Sequence, residues 1–289
     1  MNCLVTGASG FIGRHLVQAL IERGDFVHRL PRLNSDGTDA ALDGMPTFEA
    51  VIHLAGEPVA QRWNAEVKRK IFDSRVEGTR RLVSALGKRN DRPAVLVNAS
   101  AIGYYGDRGD ETLTEESAPG SDFLAEVCLA WEREAVRARE FGIRVVPIRI
   151  ATVLGRQGGA LAKMLTPFRL GLGGRLGSGR QWMSWIHVDD LVRLVLFAIE
   201  NENVTDVLNG SSPNPATNRE FTRALANAVH RPAMFPAPPV ALRLAFGEMA
   251  GVVLGSQKVI PQAALRHGFN FRFPLLPGAL HDVLQPAAL

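Results

Sequence analysis

Two cysteines in 289 residues, Cys3 and Cys128, are too few for a disulfide framework or a cysteine-built metal centre. No metal site is expected. No apolar run approaches the roughly 20 residues that a helical bilayer crossing needs, so no membrane contact is expected. Ahead of the first strand pattern, which opens at Asn2, there is no charged leader followed by an apolar block. The sequence therefore shows no export signal, and a reducing cytoplasm is the expected location. A basic block interleaved with aromatics is missing as well. The net charge of +4 and pI near 9.4 come from scattered arginines, so nucleic acid is not an expected partner. Internal repeats and low-complexity linkers are absent. What remains is ordinary globular composition, 46% hydrophobic and 21% charged, long enough for one large α/β domain or a domain plus a smaller lobe.

The most informative stretch is Asn2 to Arg14, NCLVTGASGFIGR. An apolar strand runs into Gly7-Ala8-Ser9-Gly10-Phe11-Ile12-Gly13 and restarts as an amphipathic helix. That turn aims backbone N–H groups and a positive helix end at one point, where a pyrophosphate can sit. Gly7 suits the tight turn, Gly10 allows close approach to phosphate, and Gly13 allows the helix to pack on the strand. After the second strand pattern, Asp25 to Leu30, an acidic residue would bond ribose hydroxyls, whereas arginine accommodates a 2′-phosphate. Arg29 and Arg32 stand there, with Arg14 closing the glycine motif, which points to NADP rather than NAD.

Residues 33–47 read as loop, Ala50 to Ala55 as a buried strand, 59–89 as a helix, and Ala94 to Ala99 as another buried strand. This last strand ends in Ser100-Ala101-Ile102-Gly103-Tyr104-Tyr105-Gly106. Ser121 to Phe141 reads as a helix and Arg144 to Ile150 as a strand. Strands alternating with helices set the class as α/β with a parallel sheet. Ligands of such sheets sit outside the carboxyl ends of the strands, which places Ser100 and the tyrosine pair where chemistry is expected. Further on, five glycines fall between Gly171 and Gly179, a helix follows Asp189-Asp190, and helical segments span Arg219 to Val229, Val240 to Leu254 and Pro261 to His267.

Thr6 to Gly13, His53-Leu54-Ala55-Gly56, Ser100 with Tyr104-Tyr105-Gly106, and Trp185-Ile186-His187-Val188-Asp189-Asp190 together resemble the extended and atypical short-chain dehydrogenase/reductase superfamily. LAGEP at 54–58, SRVEGTRRLV at 74–83, SAIGYYG at 100–106, DFLAEVCLAWE at 122–132 and the C-terminal GEMA, GSQKVIP and GFNFRFP resemble its NAD(P)-dependent epimerase/dehydratase-like branch of the YfcH type. The resemblance implies a Rossmann-like doubly wound parallel sheet with a smaller C-terminal substrate lobe. Residues 1–165, with a sheet completed around 183–210, would bind NADP, while 166–182 and 211–289 would form the lobe. It also implies a homodimer, a small-molecule substrate of polar carbonyl or sugar type, and oxidoreductase or epimerase chemistry.

The superfamily's usual tyrosine and the lysine four residues on are missing. With Glu132 aligned to the acidic residue that often follows the pair, Leu124 and Cys128 stand in their places, and Arg75 stands where asparagine is usual. Ser100, Tyr104 and Tyr105 are then the catalytic candidates, and an alternative is a catalytically reduced NADP(H)-binding sensor. Cofactor candidates are Gly7, Ser9, Gly10, Phe11, Ile12, Gly13, Arg14, Arg29, Arg32, Leu54, Ala55, Gly56 and Arg75. Glu57, Arg62 and Trp63 are candidates for the substrate side, Glu57 as a carboxylate acid/base. Cys128 reads as a small buried hydrophobe.

Overall fold

A computed structural model describes residues 1–30, 42, 44–156 and 158–285. Six parallel strands make the central sheet: β1 (Asn2–Thr6), β2 (Phe26–Leu30), β3 (Ala50–His53), β4 (Val95–Ala101), β6 (Arg144–Ile150) and β10 (Leu208–Gly210). Their spatial order is β10-β6-β4-β3-β1-β2. The chain reverses its direction of travel across the sheet between β1 and β3. At such a switch point the loops leave in opposite directions and open a crevice.

The central strands read as continuous apolar runs because both faces are covered. Beneath α1 (Phe11–Glu22) and α5 (Val188–Glu200) lie Val5, Ile52, Val97, Val146 and Ile148. On the other face α2 (Ala65–Lys88), α3 (Phe123–Val136) and the 3₁₀ turn Arg137–Phe141 cover Leu4, Val51, Leu96 and Val145. Every one of these nine strand residues is essentially inaccessible, which is the period-two alternation of a sheet buried twice over.

A second cluster lies around Trp185, where α4 (Gly159–Arg169), α6 (Asn218–Ala228) and α10 (Leu276–Leu284) meet. It is stitched by short pairings: β7 (Thr152–Leu154) with β9 (Trp185–His187), and β8 (Trp182–Met183) with β11 (Ala216–Thr217). Three polar ties fasten the C-terminal segments to the main sheet. Fully buried Asp190 accepts the backbone N–H groups of Arg272 and Phe273, each at 2.8 Å. Asn209 in β10 donates to the Ile260 carbonyl at 3.0 Å. Glu115 accepts from the Asn209 and Ala263 backbones. His187 caps α5 by accepting the Asp189 N–H on Nδ1, so its ring proton sits on Nε2, which faces Asp282 of α10 at 3.2 Å.

Two expected helices change shape. The run expected from residue 59 becomes helical only at Ala65, behind an Asn64 side chain that accepts the Val67 N–H. Before that point Trp63 donates its indole N–H to the Val59 carbonyl at 2.9 Å and meets the Phe123 ring edge-on, so this stretch is held by contacts other than a helix face. The run Val240 to Leu254 divides into α7 (Pro239–Phe246), a 3₁₀ turn and α8 (Ala250–Leu254), broken where Gly247 takes φ +61°. No helix among the described residues is long and apolar enough to cross a membrane.

Candidate functional site

Gly7 turns the chain out of β1 at φ +67°, and a Cβ on it would lie 2.7 Å from the Leu54 carbonyl carbon. Gly13 is tighter still, since its Cβ would stand 2.2 Å from the Gly7 oxygen and 2.8 Å from the Ala8 Cα. The helix start is thus pressed against the turn at contact distance. Gly10 donates to the Gly7 carbonyl at 3.0 Å and caps α1 without any side-chain acceptor, and the first turn holds no acid. The N–H groups of Phe11, Ile12 and Gly13 are therefore left for an outside anion. Ser9 and Gly10 are exposed at the rim. Half-buried Phe11 lies under Gly155, Gly158 and Gly159, its ring edge-on to His15 at 5.3 Å.

The opposite wall is β3 and the loop after it. Thr6 Oγ1 accepts the N–H groups of Leu54 and Ala55 at 3.2 and 3.3 Å and lies 2.6 Å from His53 Nδ1. With its lone pairs so used, the hydroxyl donates to Nδ1, and the Nε2 proton points to Thr79 Oγ1 at 3.0 Å. A neutral imidazole thus fastens the glycine turn, the β3 loop and α2 together. Burial, reinforced by the nearby Arg75 guanidinium, lowers the His53 pKa to about 4.

Arg75 reaches from α2 under that loop, donating to the Glu57 carbonyl at 2.9 Å and lying 5.1 Å above the Trp131 ring. A Cβ on Gly56 would meet its guanidinium at 3.1 Å, so Gly56 leaves room for the cation. Burial lowers the Arg75 pKa from its ordinary value. The backbone N–H of half-buried Glu57 donates to the Ser74 hydroxyl at 2.9 Å. Trp63 stacks edge-on to Phe123, and exposed Arg62 passes beside Gly247 of the later segments. Arg29 is the exposed penultimate residue of β2, in register with Val5, and Arg14 is exposed on α1. Arg32 lies outside the described residues.

The three hydroxyls fare differently. Ser100 is 3% exposed, and its Oγ donates to Glu132 at 2.5 Å instead of opening past the strand end. Glu132 in turn holds Arg149 with both oxygens at 2.9 Å. Arg149 donates to the Tyr105 hydroxyl at 3.0 Å, which donates to Asn209 at 2.7 Å. Burial pushes the fully enclosed Tyr105 up to about 12 despite that cation. Tyr104 differs: at 9% exposure, with Arg149 stacked on its ring at 3.3 Å, its hydroxyl has no bonding partner among the described residues. Ser100 and Tyr105 are thus tied into a buried network under the site, and of the three only the Tyr104 hydroxyl has no partner among the described residues.

On α3, Leu124 approaches Gly103 and Cys128 is fully enclosed, its thiol pushed up to about 12 mainly by burial. It fits the small hydrophobe expected of it. The ion pair Glu132–Arg149 and the His53 relay escaped the sequence reading. Arg149, in the interior of the apolar strand RVVPIRI, is the signal that finds the first, because a guanidinium enclosed in a core is seldom left without a partner.

A turn of three glycines under an uncapped helix, at the switch point of a six-stranded parallel sheet, defines a Rossmann-like dinucleotide-binding protein of the epimerase and short-chain dehydrogenase/reductase kind. The chain belongs to the NAD dependent epimerase/dehydratase family, whose model matches residues 3–209, and a domain of unknown function, DUF1731, matches residues 237–283. Among curated relatives, the chloroplastic epimerase family protein SDR39U1 homolog of Arabidopsis thaliana is 42% identical, with 99% of this chain and 87% of the relative covered. The epimerase family protein YfhF of Bacillus subtilis is 34% identical over 98% of both. Among solved structures, human SDR39U1 with NADPH superposes with a TM-score of 0.91 at 37% identity, covering 98% of this chain and 99% of that one. A nucleoside-diphosphate sugar epimerase from Corynebacterium glutamicum is 32% identical with a TM-score of 0.80, and this chain spans 58% of its length.

Proposed function

We propose that the chain holds NADP(H) across β1, β2 and β3 and acts as an oxidoreductase or epimerase on a small polar carbonyl or sugar-type substrate. The observation that carries the cofactor reading is the glycine cradle, where no Cβ fits at Gly7 or Gly13 beneath open helix N–H groups. Its fit to a pyrophosphate is supported by the NADPH of the human relative. In this reading the amides of Phe11, Ile12 and Gly13, with Ser9 at the rim, bind the pyrophosphate. Arg29 and Arg14 bind the 2′-phosphate, and Leu54, Ala55, Gly56 and Arg75 line the opposite wall. When bound, the cofactor supplies or takes up a hydride at its nicotinamide. Tyr104 and Glu57 then move the proton at the substrate oxygen, and Arg62 and Trp63 orient the substrate. Residues 166–182 and 211–289 serve as the substrate lobe over a cofactor domain of 1–165 completed by 183–210.

A fluorescence titration tests the cofactor half. NADPH binds at least about tenfold more tightly than NADH, as one or two charge-assisted bonds require, and Arg29→Ala narrows the gap. Equal affinities in the native protein refute it. Loss of NADPH absorbance over a panel of carbonyl compounds tests the chemistry, with Tyr104→Phe abolishing turnover and sparing binding.

A second reading, an NADP(H)-binding sensor of reduced catalytic power, is favoured by one observation. Leu124 and Cys128 occupy the positions of the superfamily's proton-transferring pair, and the Cys128 thiol, held at about 12, does not replace it. No turnover at any pH, with NADPH altering the binding of a partner, selects this reading.

A further inference from the structure

The positive charge of this chain is not spread evenly along its sequence. Residues 159–182 and 211–254 hold eight Lys and Arg against two Glu, leaving 25 basic against 27 acidic residues elsewhere. Both glutamates are engaged, Glu220 in the box that caps α6 and Glu248 with Lys68. Arg169, Arg180, Arg219, Arg223 and Arg243 make no side-chain hydrogen bond or ion pair among the described residues. The same two segments hold eight of the thirteen exposed large hydrophobic side chains among the described residues, whereas α2 and α3 hold none. Charge and apolar exposure have separate causes in a sequence, so their coincidence is informative.

The backbone brings the two segments side by side. Phe235 donates to the Gly173 carbonyl at 3.2 Å, Gly177 to Ala237 at 2.9 Å, and Arg231 Nε to the Arg169 carbonyl at 3.3 Å. A Cβ on Gly174 would collide with the Phe235 carbonyl, so the ribbons touch. From adjacent turns project Leu170, Leu172, Met234 and Phe235, at 68, 57, 73 and 56% exposure. Arg169 and Arg231 flank them, and a Cβ on Gly179 would touch both Arg175 and Arg219.

We propose that this face docks on an anionic lipid surface, its four apolar tips entering the headgroup boundary and its arginines facing the acidic headgroups. Interfacial binding combines these two contributions, buried apolar area and attraction to anionic lipid. A second copy of the chain is opposed by charge, because pairing the face with itself brings two strongly cationic surfaces together. Nucleic acid leaves the leucines and methionine without a partner, because its outer surface is phosphate. A peptide in a groove leaves wall residues largely covered, whereas these four are more than half exposed. The absence of a membrane span, from which no membrane contact was expected, has no bearing on such a peripheral contact.

Flotation of the full chain with vesicles of equal parts phosphatidylglycerol and phosphatidylcholine tests this. The protein floats with these vesicles at low ionic strength, not with pure phosphatidylcholine, and is released by salt. Replacing Leu172 and Phe235 together by Asp lowers the partition at least about tenfold, the loss of two buried apolar side chains. Arg169→Gln, Arg180→Gln and Arg219→Gln lower it about fivefold each, as one basic residue near an acidic surface contributes. Melting temperature and NADPH affinity stay unchanged in both sets, which separates failure here from failure of the cofactor reading. No flotation, equal binding to neutral vesicles, binding that survives both sets of changes, or capture of an acidic protein without vesicle binding overturns the proposal.

Discussion

His53 offers a direct test of how the two walls of the site are joined. Its ring bridges Thr6 and Thr79 as a neutral group with both nitrogens satisfied, and burial holds its pKa at about 4. In the unfolded chain the same imidazole titrates near 6.5, so the unfolded state takes up the proton first as pH falls. The stability contributed by the neutral ring is complete above about pH 6.5 and is lost through the window down to about pH 4. With these two values the loss is about 2 kcal/mol by pH 5 and about 3 kcal/mol by pH 4. Protonation also sets a second N–H against the Thr6 hydroxyl, which then no longer holds Leu54 and Ala55 squarely, so NADPH affinity falls in the same window. The assay is urea unfolding of the native protein and of His53→Gln at a series of pH values. The variant is less stable near neutrality, but the difference between the two shrinks as the medium is acidified, since its amide does not titrate and other acid-sensitive groups cancel. Profiles that stay parallel from about pH 7 to pH 4.5, or a His53 proton resonance titrating near 6.5, refute the bridge as described.

Four other outcomes are expected. Gly13→Ala drives a Cβ into the Gly7 carbonyl and lowers NADPH affinity at least about tenfold by calorimetry, whereas Gly78→Ala, mid-helix with open space around it, stabilises the fold by about 0.5 to 1 kcal/mol. Glu132→Gln strands the enclosed Arg149 and costs about 3 kcal/mol in denaturant unfolding, and adding Arg149→Met recovers part of that loss. Cys128 stays unreactive toward a thiol reagent in the folded protein and reacts once urea unfolds it, because its thiol is enclosed and held near 12.

Much of the frame is readable from residue spacing. Continuous apolar runs such as AVIH and VLVN announce doubly covered strands, and the glycine interval at 7, 10 and 13 announces the cradle. Side-chain direction at a strand end is harder to read. Ser100 stands at the carboxyl end of β4, yet strand alternation turns its hydroxyl toward α3 and Glu132, a fact that depends on register and not on position. Tyr104 and Tyr105 are neighbours in sequence and in a 3₁₀ turn, and only tertiary packing decides which hydroxyl is enclosed. The break in the run Val240 to Leu254 depends on Gly247 taking a left-handed conformation, which the apolar pattern around it conceals.

The polar ties from Asp190, Asn209 and Glu115 to the stretch 260–273 bear on the order in which a nascent chain can fold. β10 supplies the sixth strand, and β6, Tyr105 and Glu115 are made before it, but its bond to Ile260 and the two backbone donors of Asp190 leave the ribosome more than fifty residues later. Until then the edge made by β10 lacks its later tie, and the carboxylate of Asp190 waits in an apolar setting without its two backbone donors. Synthesis of the last thirty residues is therefore the moment at which the first two hundred become secure. Truncations near residue 255 should yield chains that aggregate instead of shorter proteins that still bind a dinucleotide.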